Sequence, residues 1–204
     1  MPSSSDVAGE PWVSEMMAFD QTKTYRSVEE KLAATTNPRH RLLLQRLLQH
    51  SRGEVEADLD AVMATLAPNP VYRAWHGSPV LSPSGTDAVR KFYVDEVFGR
   101  GRHVFESNKD RIVVDDDTII TEGDMRIVTW GRDARDNGMP VDDPDACYLM
   151  SVRVLIVWPF DKDGYILGEE SWSVPIGGGL EKLAPDDVPE NFRAYVQGRL
   201  KKAA

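Results

Sequence analysis

Apolar residues recur at helical spacing through the first third of the chain and at strand spacing through most of the rest. Leu43, Leu44, Leu47 and Leu48 form one stripe, and after Gly53 a second runs through Val55, Leu59, Val62, Met63 and Leu66. Ser27-Val28-Glu29-Glu30 has the form of a capping box. Asn37-Pro38 sets a capping amide before a proline at the first helical position. Pro68-Asn69-Pro70 ends the helical pair, and Val71 to Trp75 predicts a short strand rich in branched and aromatic residues. Ser84-Gly85-Thr86-Asp87 opens a further helix with Val89, Phe92, Tyr93 and Val97 on one face. Strands are then predicted over Arg102 to Asp115, Thr118 to Trp130, Cys147 to Phe160 and Tyr165 to Val174. A last amphipathic helix carries Val188, Phe192, Tyr195 and Val196.

Helices first and hairpin-linked strands afterwards make the expected class α+β, with a curved antiparallel sheet wrapped on helices. The expected organisation is an N-terminal extension with short helices over 1–37, one α+β domain over 38–180 and a C-terminal helix over 181–204. A chain of 204 residues with 41% hydrophobic and 28% charged positions builds a core without staples. Its net charge of −9 repels phosphate backbones and argues against nucleic acid as a partner. The single cysteine, Cys147, forms no intrachain disulfide, and a reducing cytoplasm is the expected compartment. The most apolar run, Val152 to Trp158, is too short to span a bilayer, so no membrane association is expected.

The last strand carries the clearest chemical signal. Leu167, Glu169, Ser171 and Ser173 alternate with Ile166, Gly168, Glu170, Trp172 and Val174. If the second set faces inward, Glu170 is a carboxylate among apolar neighbours, where desolvation raises its proton affinity toward the range a general acid or base needs. A register shift of one residue would instead leave Glu170 at a solvated strand end. On the second long strand Glu122, Asp124 and Arg126 share a face opposite Ile119, Met125 and Ile127, the usual mark of a solvated face. Arg153 falls on the face of its strand opposite Tyr148, Met150, Val152, Val154 and Ile156, which suits a surface ion pair or an interface. His40 and His50, among arginines and glutamines on a helix, read as surface residues, and His103 as a strand-end residue. The acidic stretch from Asp133 to Asp145 lacks calcium-loop spacing and reads as a mobile flap or intersubunit arm. Gly177-Gly178-Gly179, with no following Lys-Ser/Thr, reads as a hinge between sheet and terminal helix.

Three stretches in this order, Leu66 to Ser78, Ser84 to Tyr93, and the Phe160-Asp161-Lys162-Asp163-Gly164-Tyr165-Ile166 turn with Glu169-Glu170-Ser171-Trp172, resemble the nuclear transport factor 2-like superfamily, especially its SnoaL-like branch. The resemblance covers roughly residues 38 to 176. It implies a cone-shaped sheet around a long helix, an open-ended pocket and, as in most members, neither metal nor organic cofactor. Its enzymes include ketosteroid isomerases, polyketide cyclases, scytalone dehydratase, limonene epoxide hydrolase and lyases that release formaldehyde from lignin-derived diarylpropanes. Other members are binding or dimerisation modules. The resemblance places Tyr72, Trp75 and His76 near the pocket, but puts Ala74 where the isomerase has its aspartate base.

The expected function is therefore a cofactor-independent lyase, dehydratase or isomerase working on an aromatic or polycyclic molecule. Tyr72, His76 and Glu170 are the expected acid–base groups, and Trp75, Phe92, Tyr148 and Trp172 the wall. A non-catalytic binding or assembly module is the alternative. A second alternative, epoxide hydrolysis, would use Asp124 and Arg126 with Glu170 as further acid. A homo-oligomer, dimer or trimer, is expected.

Overall fold

The computed structural model describes residues 19–203 apart from 76 and 78. Three helices, α1 (Lys23–Ala34), α2 (Pro38–Glu56) and α3 (Leu59–Met63), precede β1 (Leu66–Ala74) and α4 (Thr86–Phe92), which continues as a π-helical turn over Tyr93–Phe98. Then come β2 (Phe105–Val114), β3 (Thr118–Trp130), α5 (Gly131–Asp136), β4 (Cys147–Pro159), β5 (Ile166–Lys182) and α6 (Glu190–Ala203). The class is α+β, with one curved, unclosed sheet in the order β1-β5-β4-β3-β2. The sheet is mixed rather than wholly antiparallel, because β1 runs parallel to β5. Helices α4 and α5 and the rest of the sheet separate these strands in sequence, so no tight turn forces an antiparallel pair. Among the described residues, no helix is long and apolar enough to cross a membrane.

Local chemistry explains most of the boundaries. Asn37 caps α2, its side chain accepting from the backbone N–H of Arg39 at 2.8 Å and of His40 at 3.3 Å. The capping box expected at Ser27 does not form. Helix α1 begins earlier, at Lys23, where Asp20 Oδ1 accepts from the backbone N–H of Thr22 at 3.0 Å and from its hydroxyl at 2.6 Å. Gly53 does not break α2, as its missing side chain instead lets α3 approach closely.

One core lies between α2, α4 and the inner face of the sheet, with Val28, Leu43, Leu44, Leu47, Val89 and Ile166 fully buried. Each such leucine contributes about 2 kcal/mol relative to exposure. A second core on the outer face joins Phe192 of α6, and Val188 just before that helix, to Val104, Val128 and Trp130. The segment expected to be a mobile flap is tied down there: Asp133, 2% exposed on α5, accepts from the Tyr195 hydroxyl at 3.1 Å. The triple glycine is no hinge between sheet and helix but lies inside β5. There the pairing jumps from Val152↔Pro175 to Met150↔Leu180 and the glycines bulge outward.

Two bulges set which side chains face inward. The pairing of β4 with β5 passes from Phe160↔Ile166 to Val157↔Glu170, so three steps along β4 match four along β5. The extra residue falls near Gly168, where a Cβ would meet the Val71 carbonyl oxygen at 1.8 Å. In the same way Lys109↔Gly123 is followed by Arg111↔Glu122, leaving Asp110 as the extra residue of β2.

Candidate acid–base site

Helix α2 carries Leu43, Leu47, His50 and Glu54 down one side, and His50 is fully buried against the sheet rather than lying on the surface. Its place in the leucine stripe was the available signal, hidden by the polar residues around it in sequence. Its Nδ1 lies 2.7 Å from Thr65 Oγ1. That hydroxyl donates to the Val62 carbonyl at 2.6 Å, so it accepts from the imidazole, and Nδ1 carries hydrogen. The other nitrogen, Nε2, therefore points at the reactive cluster: 3.1 Å from the Tyr93 hydroxyl, 3.5 Å from Glu169 Oε1 and 3.8 Å from Glu54 Oε1. Tyr93 donates to Glu54 Oε1 at 3.1 Å, and the Tyr72 hydroxyl lies 3.0 Å beyond it. With the Tyr93 proton given to Glu54, Nε2 is placed to donate to the Tyr93 hydroxyl, and the two glutamates beside it favour the imidazolium.

Four elements meet here. His50 and Glu54 come from α2, Tyr72 from β1, Glu169 from β5, and Tyr93 from the first residue of the π turn. The wider turn re-aims side chains, a common device at functional sites. Trp158 of β4 packs its ring edge-on at 5.6 Å from His50 and fixes its own N–H on Thr121 Oγ1 at 3.0 Å.

The electrostatics follow from this burial. Burial alone would lower the proton affinity of His50, but Glu54 and then Glu169 outweigh it and raise it. Burial drives Glu54 up to about 7, against the opposing pull of His50. Burial also lifts Tyr72 and Tyr93 well above the usual phenol value, so both remain hydrogen-bond donors at neutral pH. Glu54 and Glu169 keep 17% and 18% of their side-chain surfaces accessible. These two carboxylates are thus the members of the cluster that keep accessible surface, whereas His50 has none. Beyond them on the inner face stand Ser171, Ser173, Met125, Ile127, Met150 and Val152, none within either core. Two surface grooves, of about 300 and 410 Å³, lie elsewhere, one over α2 and α3 and one beside α6.

The residues expected from sequence distribute differently. Tyr72 belongs to the cluster, and Phe92 packs at its edge, 6.1 Å ring to ring from Tyr72. His76 lies outside the described residues. Glu170 does not face inward. The bulge near Gly168 turns Glu169 in and Glu170 out, where it pairs with Arg73 at 2.7 Å. Trp75, 53% exposed, stacks on Trp172 at 5.6 Å on the outer side, so neither faces the cluster. Tyr148 is buried far from His50 and holds the loop through the Asp143 backbone N–H at 3.0 Å. Asp124 and Arg126 also face outward. Asp124 joins Glu122 around Arg153, each at 2.9 Å, and Arg126 donates to Glu106 at 2.6 Å. This geometry removes the proposed Asp124–Arg126 pair from the interior.

Among the described residues, two donor sets could bracket a divalent ion, His50 with Glu54 and Glu169, and the mostly exposed His40 with Asp115 and Asp116. In the first, the Tyr93 hydroxyl already bonds two of the three side chains.

None of the protein-family models and none of the curated proteins compared matches the chain. Solved structures do. A SnoaL-like protein assigned to the polyketide cyclases from Shewanella denitrificans OS-217 is 12% identical with a TM-score of 0.53, over 65% of this chain and 90% of that one. An epoxide hydrolase of the limonene type from Mycobacterium tuberculosis is 19% identical with a TM-score of 0.50, over 67% and 86%. The protein RV0760c of Mycobacterium tuberculosis is 12% identical with a TM-score of 0.50, over 73% and 99%. The chain has the nuclear transport factor 2-like fold, in the form shared with SnoaL-like proteins.

Proposed function

We propose that the protein is an enzyme that moves a proton on a small, largely apolar organic molecule, as a lyase, dehydratase or isomerase. The observation that carries this reading is the convergence of His50, Glu54, Glu169, Tyr72 and Tyr93 in one hydrogen-bonded and ion-paired cluster whose two carboxylates keep accessible surface on the inner face of the sheet. Glu54 is the base that touches substrate, and Glu169 is the second carboxylate at the mouth. His50 and Tyr93 are positioning residues: the imidazolium holds both carboxylates, and the tyrosine hydroxyl fixes Glu54 Oε1.

Within this class, C–C cleavage of a lignin-derived diarylpropane with release of formaldehyde is the specific reaction we favour. In such a step a base removes a hydroxyl proton, the C–C bond breaks toward the ring side, and the carbanion is protonated or expels a neighbouring hydroxyl. Incubation with lignin-derived and polyketide-like aromatics, followed by mass-resolved product detection, tests it. The expected result is loss of a one-carbon fragment from a diarylpropane. Binding of these compounds with no product from any of them would contradict catalysis and favour a binding module.

A further inference from the structure

Thr65 is fully buried on the turn between α3 and β1, on the side of His50 away from the carboxylates. Each of its polar groups has a partner. Its N–H donates to the Val62 carbonyl at 3.0 Å, and its hydroxyl donates to the same oxygen at 2.6 Å. Its own carbonyl accepts from the Ile166 N–H at 3.0 Å, at the start of β5, the strand that carries Glu169. With the hydroxyl proton committed to Val62, Oγ1 offers His50 Nδ1 a lone pair at 2.7 Å.

That lone pair decides which proton the imidazole keeps. A buried N–H without an acceptor is costly, so Nδ1 holds its hydrogen while Oγ1 faces it, and Nε2 is the nitrogen that exchanges a proton. Nε2 faces Glu54 of α2, Glu169 of β5 and Tyr93 of the π turn. Tyr72 of β1 lies behind Tyr93, and Lys109 of β2 acts on Glu54.

We propose that Thr65 is a positioning residue for the acid–base reaction, holding His50 in the tautomer that turns Nε2 toward the two glutamates. The assignment rests on the proton-transfer reading of the cluster. Serine at this position keeps the hydroxyl, whereas valine and alanine remove it, alanine without pressing a methyl group on the ring. Once Nδ1–H has no acceptor, the imidazolium gives up that proton first and the neutral ring keeps its hydrogen on Nε2. His50 then loses its charge at lower pH, and with it the influence that lowers the proton affinity of Glu54.

The test is NMR of the full chain with ¹⁵N-labelled histidine from roughly pH 5.5 to 9, on the wild type, Thr65→Val, Thr65→Ala and Thr65→Ser, with His50→Gln to assign the signals. In the wild type the neutral ring should carry hydrogen on Nδ1. In the valine and alanine variants it should carry hydrogen on Nε2, with a midpoint lower by roughly one pH unit, the size expected for one buried donor left without a partner. Thr65→Ser should restore both. A neutral ring still protonated on Nδ1 in the valine and alanine variants, at an unchanged midpoint, would overturn the proposal whatever their rates. Steady-state rates keep the two readings apart. A tautomer switch with the kcat limb moving to higher pH supports both, and a switch with an unmoved limb upholds the grip of Thr65 on His50 while contradicting Glu54 as the base.

Discussion

Replacing Glu54 by glutamine is expected to lower kcat by roughly 10²–10⁴-fold, the range typical for loss of a positioned general base, while leaving the fold intact. Glutamine keeps the shape and can still accept from Tyr93, so the packing of α2 survives, but it cannot take a proton. The wild-type rate should rise with pH through about 7, as the Glu54 carboxyl ionises. His50→Gln separates the positioning role from the catalytic one. His50 has no accessible surface, so it acts on substrate only through its neighbours. Removing its positive charge removes the influence that lowers the proton affinity of Glu54, and the pH limb should move upward along with a smaller loss of kcat. A purely structural defect would lower the rate without moving the limb. Steady-state kinetics between pH 5.5 and 9 on a turned-over substrate, in roughly half-unit steps, reads both effects.

The second large effect is on stability. A carboxyl whose folded-state pKa is raised from 4.5 to about 7 keeps a proton in the native state that the unfolded chain has already released. The linkage stabilises the fold fully below the unfolded value and is lost as pH rises through about 7. At about 1.4 kcal/mol for each pH unit, the Glu54 contribution is on the order of 3 kcal/mol. His50, also raised, acts in the same direction above its unfolded value of 6.5. Lys109 acts oppositely at higher pH: its lowered pKa costs stability below about 8 and that cost fades toward 10.5.

Glutamine resembles the protonated carboxyl. Glu54→Gln should therefore match the wild type near pH 4 and exceed it by about 3 kcal/mol at pH 7.5. Urea unfolding at the two pH values measures this. A variant less stable than the wild type at both would show that the charged form of Glu54 is not the costly one. The expected gain is also the usual sign of a functional site, where a group is held against its own preference.

Much of the frame was legible in the sequence. The limits of β3, the Asn37 cap, the buried Val89–Tyr93 face of α4 and its π turn, and burial of Val188 and Phe192 follow from period and local chemistry and appear in the structure, although the last helix starts only at Glu190, after Val188. The candidate site was less legible for two physical reasons. A strand read with strict alternation from Ile166 puts Glu170 inside, and a single extra residue at Gly168 reverses every position after it. Gly168 was visible, but a glycine in a strand does not by itself reveal on which side of it the ladder slips. His50 was missed because its sequence neighbours are polar, whereas helical geometry sets its spatial neighbours three and four residues away. Tyr72 was found because β1 holds its alternation, with Tyr72 directly opposite Glu169. The exposed Trp75–Trp172 stack shows the converse case, in which aromatic residues beside a site in sequence lie on the other face of the sheet.

Proton sharing between the buried Glu54 carboxyl and the His50 imidazole near neutral pH is read out by the side-chain carboxyl carbons of ¹³C-labelled glutamates, followed by NMR as pH is varied, with Glu54→Gln to assign the signal. One resonance should titrate near 7, vanish in Glu54→Gln and move to higher pH in His50→Gln. Titration of every glutamate in the ordinary carboxylate range would contradict the account.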